Sequence, residues 1–357
     1  MEPSEIEQNV NKIKELLKSE DFDVVNTGLE LLQELDVTEV YEELLEGCGV
    51  NEEGYLVNEK KELSAYLVCV LSSLSDGPKA KEIKEKLTIL NLSNDRNLRD
   101  LDVLYNFTNI TSLDLSYCYS LTNLDGLTKL TKLNDLNLWV SQSLANIDGL
   151  ANLANLTTLY ICTPDHQEVD MENYEGFELP SGLSNLKNLT ELYIESTLIK
   201  NVDDLANLTN LTVLDLEGCT KITNLDGLVN LTALTDFNFC YGRSLTDISG
   251  LANLTNLTNL DLSLCEEVTD LSYLANLTNL NDLVLIDCGV WYPDEIINVD
   301  FLANLTNLKK LDLSGCISIQ IKPDNYSFEE KYEEGGESVI LKDEELTAYL
   351  KKIKEQL

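Results

Sequence analysis

The chain contains a single histidine, His166, and that alone limits the chemistry open to it. One imidazole excludes zinc sites built from several and most histidine-based triads. Around His166 stand Asp165, Glu168, Asp170 and Glu172. These carboxylates could be drawn together on a divalent cation, although their spacing matches no EF-hand loop. A solvated acidic loop is the competing reading. No Walker loop, no GxGxxG ahead of a helix, no HExxH and no GxSxG occurs. The expectation is a chain without catalytic residues, cofactor or metal.

What the sequence does supply is periodicity. The phrase Leu-Thr-x-Leu-x-Leu recurs with starts at Leu87, Ile110, Leu133, Leu156, Leu189, Leu211, Leu234, Leu257, Leu280 and Leu308. The first six positions of each unit alternate apolar and polar, the signature of a short strand with one buried face. Leucines at positions 12, 15, 18 and 21 then recur every third residue, as in Leu121, Leu124, Leu127 and Leu130. That spacing predicts an extended or 3₁₀-like return rather than a long α-helix. No unit can bury its leucines alone, so the units must stack into a solenoid with a parallel sheet.

Positions alternating with the leucines should face a partner. Position 5 reads Asn91, Asp114, Asn137, Tyr160, Tyr193, Asp215, Asn238, Asp261, Val284 and Asp312, and position 7 includes Trp139, Cys162, Glu195, Glu217 and Cys240. Trp139, Tyr160 and Tyr193 fall in consecutive units beside Glu195, Asp215 and Glu217. Aromatics edged by carboxylates suit a partner presenting Arg, Lys or an apolar anchor. The competing reading is that aromatics merely suit a sheet surface. The candidate partner-binding set is Trp139, Tyr160, Tyr193, Glu195, Asp215, Glu217, Asn238 and Asp261. Two insertions interrupt the repeats, at 163–180 with Tyr174 and Phe177 and at 289–300 with Trp291, Tyr292 and Pro293; binding and plugging are both open for them.

Cysteine occupies position 9 in five units, as Cys118, Cys219, Cys265, Cys288 and Cys316. A column of buried thiols is expected, since cysteine is small and its S–H is a weak donor. The alternative is a metal or redox site, but no CxxC pair exists. Nine cysteines in a chain of this size do not indicate disulfide staples.

The pattern resembles the leucine-rich repeat family, and Leu251-Ala-Asn-Leu-Thr-Asn256 and Leu274-Ala-Asn-Leu-Thr-Asn279 look like its internalin-type bacterial class. The resemblance covers about two-thirds of the chain. It implies an α/β solenoid: a right-handed curved horseshoe with a concave parallel β-sheet and protein binding on that face. In this family, position 9 is usually an asparagine whose amide bonds to neighbouring backbone. Most units here have 23 residues where the class typically has 22. Internalins are exported and wall-anchored, whereas the start Met1-Glu2-Pro3-Ser4-Glu5-Ile6-Glu7 has neither a basic nor an apolar leader segment. The expected location is therefore cytoplasmic, with leaderless secretion open.

The ends must close the stack. Residues 1–86 form the expected helical cap, with capping-box signals at Ser4-x-x-Glu7 and Asp36-x-x-Glu39 and an inner face of Leu29, Leu31, Leu32 and Leu35. Gly47 would end a third helix, Glu62 to Leu74 forms a fourth, and Pro78 opens a fifth. Repeats occupy 87–322, and 323–357 forms a closing cap with a strand near Glu337–Leu341 and a helix from Asp343, burying Leu346, Tyr349, Leu350 and Ile353.

Charge excludes further classes. The chain has 63 acidic and 25 basic residues, a net charge of −38, and residues 87–316 hold 32 acidic against 10 basic. That field repels phosphate backbones and anionic membranes, so no nucleic-acid or membrane partner is expected. The leading reading is a non-enzymatic, monomeric protein-interaction scaffold. The alternatives are a secreted effector or adhesin acting on host proteins, and a regulatory subunit that positions a partner enzyme.

Overall fold

The computed structural model describes residues 3–19, 21–35, 38–59, 63–96, 98–141, 144, 147–162, 181–195, 199–289, 298–316 and 340–356. They form two compact units, 1–156 and 157–357.

The first unit opens with five helices: α1 (Pro3–Leu17), α2 (Phe22–Leu35), α3 (Thr38–Leu44), α4 (Ala65–Leu74) and α5 (Pro78–Lys86). Ser4 lies inside α1, so its capping box does not mark the helix start. In α2 the buried stripe is Val25, Gly28 and Leu32, while Leu29 and Leu31 are half-buried. Gly28 permits a close crossing, since a Cβ there would lie 3.0 Å from that of Leu16. The fourth helix begins at Ala65, where Ser64 accepts a bond from the Leu67 N–H. Pro78 and Gly77 give α5 no side-chain cap of its own. Glu42 of α3 supplies one, accepting from the Lys79 N–H at 3.1 Å.

A hairpin absent from the sequence expectations separates α3 from α4. Strands β1 (Cys48–Val50) and β2 (Leu56–Asn58) pair antiparallel. The Gly54 carbonyl accepts the N–H groups of Thr88 and Ile89 at 3.1 and 3.0 Å. The hairpin thus covers the backbone entering the first repeat, and Ser73 of α4 donates to the Val103 carbonyl of that repeat. Three parallel strands follow: β3 (Ile89–Asn91), β4 (Ser112–Asp114) and β5 (Asp135–Leu138), with Leu90, Leu113 and Leu136 in register.

The second unit stacks seven parallel strands: β6 (Thr158–Cys162), β7 (Glu191–Glu195), β8 (Val213–Asp215), β9 (Asp236–Asn238), β10 (Asn259–Asp261), β11 (Asp282–Val284) and β12 (Lys310–Asp312). Antiparallel β13 (Ile340–Lys342) covers β12, and α6 (Asp343–Gln356) buries Leu346, Tyr349 and Ile353, with Leu350 half-buried. In both units each described return segment carries a 3₁₀ turn, such as Asp125–Lys129 and Ser272–Asn276, in keeping with the threefold leucine spacing. The repeat leucines, among them Leu121, Leu124, Leu127 and Leu130, are fully buried.

Two devices end most of the short repeat strands, although β11, with Val284 at position 5, lacks the first. An Asp or Asn at position 5 accepts the N–H two residues on: Asp114 from Ser116, Asn137 from Trp139, Asp215 from Glu217, Asn238 from Cys240 and Asp261 from Ser263. This Asx turn offers the backbone an alternative to the ladder. Where position 5 is tyrosine, at Tyr160 and Tyr193, the strand runs on to five residues. Position 8 is then left-handed, with φ from 52° to 72° at Asn94, Tyr117, Val140, Gly218, Tyr241, Leu264, Asp287 and Gly315.

Candidate functional site

The open face of the second unit's sheet carries the polar residues of its strands, while Leu159, Leu192 and Leu214 point into the core. Tyr160 and Tyr193 are paired in register and stack with ring centroids 4.4 Å apart and planes within 6°. The Tyr193 hydroxyl donates to Glu191 at 3.2 Å. Loss of water around the ring, then the Glu191 charge and Tyr160, push its pKa far up.

Beyond the stack the face turns acidic. Glu195 accepts from the Cys162 thiol at 3.3 Å. Asp215 follows Tyr193 in register and receives the Asn238 amide at 3.1 Å. Glu217 is exposed, yet desolvation of its carboxyl, then Asp215 and Glu195, raises its pKa above the ordinary value. The Cys240 thiol is raised to about 12 by burial and by Asp261 and Glu217. A shift in that direction disfavours the thiolate form.

The candidate residues are therefore only partly a single set. Tyr160, Tyr193, Glu195, Asp215, Glu217, Asn238 and Asp261 share the second unit's face. Trp139 is half-buried on the strand side of the first unit and is described there alone. Asp215, Asn238 and Asp261 are not purely contact residues, since each commits one oxygen to its strand-ending turn. The second oxygen of Asp215 faces Asn238, and Asp261 also accepts from the Ser263 hydroxyl.

A row missed in the sequence lies at position 3. Asp236, Asn259, Asp282 and Lys310 are aligned across β9 to β12, and Asn259 donates to Asp236. Together with the position-5 row they line a groove of about 400 Å³. The strand alternation that marked position 5 marks position 3 equally, so reading both columns would have found it.

Within each unit, buried thiols tie neighbouring repeats together. Cys118 donates to the Leu92 carbonyl at 3.2 Å, Cys265 to Phe239 at 3.2 Å and Cys288 to Leu262 at 2.8 Å. Cys219 and Cys316 make the same contact with Ile194 and Leu285, and Ser141 replaces the thiol with a hydroxyl bonded to Leu115. Burial raises Cys118 and Cys316 to about 12 and lifts Cys265 and Cys288 as well. These are structural donors from one repeat to the one before it. At position 9 of the unit starting at Leu234 stands Gly242, where a Cβ would meet the Phe239 ring at 2.0 Å.

The His166 cluster, with Asp165, Glu168, Asp170 and Glu172, lies outside the described residues, as do Tyr174, Phe177, Trp291, Tyr292 and Pro293. Among the described residues no group of three His, Cys, Asp or Glu could hold a metal ion. No described helix is long and apolar enough to cross a membrane.

A family model for two copies of the leucine-rich repeat matches residues 187–230, and a Zer-1-like leucine-rich repeat model matches 248–333. Among solved structures, internalin F of Listeria monocytogenes is 27% identical with a TM-score of 0.52. The match covers 65% of this chain and 62% of that one, so the chain spans under two-thirds of that relative. Internalin C2 of the same organism is 25% identical with a TM-score of 0.42, covering 69% and 89% of the two chains. The functional domain of InlJ, also from Listeria monocytogenes and described as including a cysteine ladder, is 21% identical with a TM-score of 0.45, covering 66% and 49%. A comparison with curated proteins gives no match. The stacked parallel strands, the 3₁₀ returns, the two family models and the match to internalin F support a leucine-rich repeat fold that resembles the internalin class.

Proposed function

We propose that the chain is a non-enzymatic scaffold that binds a protein or peptide on the open sheet face of its second unit. The observation that carries this is the Tyr160–Tyr193 stack beside Glu195, Asp215 and Glu217. Two large rings and three carboxylates share one face, and they match a partner with basic and apolar anchors. Asn238 and Asp261 extend the acidic edge, and Trp139 offers a further aromatic anchor on the first unit.

The test is affinity purification from the native cell at low salt, comparing the wild type with Tyr160→Ala/Tyr193→Ala and with Trp139→Ala. Proteins retained by the wild type and lost by the double variant, with unchanged circular dichroism, support the reading. Equal retention by both overturns it.

A second reading, an exported effector or adhesin directed at host proteins, is favoured by the likeness to internalin F. Fractionation of the producing culture separates the two: protein in the medium or on the cell surface supports export, and protein confined to the cell interior contradicts it.

A further inference from the structure

Building on that sheet-face reading, we propose that the groove of the second unit receives an extended arginine-bearing peptide whose basic residues recur every third position. Strands β8 to β11 each place one aspartate on the face, and the four alternate between two rows. Asp215 and Asp261 stand at position 5 with Asn238 between them, and Asp236 and Asp282 stand at position 3 with Asn259 between them. Neighbouring strands lie about 4.8 Å apart, so carboxylates of one row repeat at about 9.6 Å.

That repeat selects the ligand's conformation. A polyproline II chain rises about 3.1 Å per residue with three residues per turn, so every third side chain points the same way about 9.3 Å along. A β-strand presents like-facing side chains roughly 6.8 Å apart and falls out of step. Polyproline II is also largely preformed in the free chain, which limits the ordering cost of binding. Val213 and Val284 give the groove apolar contact surface for the intervening residues. Lys310 follows Asp282 in register and closes the acidic row.

Among the described residues the charge stands without an ion-paired partner: no ion pair involves Asp215, Asp236, Asp261 or Asp282. The hydrogen bonds they accept come from neutral groups: the Asn238 and Asn259 amides, the Ser263 and Thr235 hydroxyls, and backbone N–H groups. Tyr193 borders Asp215 in register, so a guanidinium at that carboxylate has an aromatic ring beside it. Arginine is favoured over lysine because its planar group both stacks and bonds in a bidentate manner.

Titration calorimetry on the full chain at 50 mM salt tests this with three synthetic probes: acetyl-(Arg-Pro-Pro)₄-amide, an isomer with its four arginines contiguous, and a citrulline version of the first. The periodic peptide is expected to bind at least tenfold tighter than the isomer, and the citrulline peptide not to bind. Asp236→Asn/Asp282→Asn should weaken the periodic peptide at least tenfold, as should Asp215→Asn/Asp261→Asn. The fold tolerates these changes because Asn238 and Asn259 occupy the matching positions. Equal affinity for the two arginine peptides, no binding of either, or unchanged affinity in both double variants overturns the proposal. Each of these outcomes leaves the sheet-face reading to stand or fall on partner capture by the Tyr160→Ala/Tyr193→Ala variant.

Discussion

Gly242 and Phe239 show how one residue sets another. The repeat normally carries a leucine or isoleucine at position 6 and a small hydrogen-bonding residue at position 9. Phe239 fills both spaces, and only glycine fits behind it. Gly242→Ala is therefore expected to cost about 1–3 kcal/mol through overpacking. Adding Phe239→Leu should recover most of that loss, and denaturant melts of the two variants will show it. Simple addition of the two penalties would contradict the coupling. Glu217 makes a prediction of opposite sign to the usual carboxylate. Its pKa is raised in the folded protein, so the folded state holds the proton to higher pH than the unfolded chain does. The contribution to stability is gained as pH falls toward 4.5 and lost as pH rises through the raised value. Glu217→Gln should thus melt higher than the wild type at pH 7.5, with the gap closing as pH falls to 4.5 and below. A constant gap across that range would exclude the titration as its source.

At the scale of the element, an Asx turn closes most of the repeat strands. Asp114 accepts the Ser116 N–H with one oxygen and the Asn91 amide with the other. Replacing it by Asn keeps the turn, whereas Asp114→Ala leaves the N–H without its acceptor and should cost about 1 kcal/mol or more. Equal melting of the two variants would show that the turn is not needed. Much of the element pattern was legible from the sequence, because leucines must return to one core at fixed spacing. The adjacency of Tyr160 and Tyr193 followed from the same count, despite their 33-residue separation, whereas the stacking of their rings did not. The hairpin of β1 and β2 was hidden, since three-residue strands carry too little alternation to stand out from a loop. The double role of Asp215, Asn238 and Asp261 was hidden for another reason. Residue type places a carboxylate or amide on the face but does not reveal which of its oxygens the backbone has already claimed.

Across the whole molecule, the acidity has more than one cause. Asp114, Asp215, Asp261 and Asp312 serve strand ends, and Asp100, Asp247 and Asp270 accept the N–H that opens a 3₁₀ turn. Turn chemistry thus supplies part of a net charge of −38, with few basic residues to offset it. The six ion pairs among the described residues involve partly or largely exposed side chains, so salt has little attraction to weaken and much repulsion to screen. Raising NaCl from 50 to 500 mM should therefore raise the melting temperature while weakening capture of a basic partner. A melting temperature that falls with salt would show that attractive pairs dominate.

The side-chain bonds from the core thiols and from the threonines and asparagines of the returns run back to the preceding repeat. Cys265 reaches back to Phe239, Thr258 to Thr235 and Asn256 to Thr232, while on the open face Asn91 reaches forward to Asp114 and Cys162 to Glu195. Such a chain can be copied like a word in a sentence. A duplicated 23-residue cassette brings its own donors, finds its acceptors already waiting, and offers the next cassette the same set. The molecule can lengthen its binding face, row of aspartates included, by gene duplication alone, without redesigning either end.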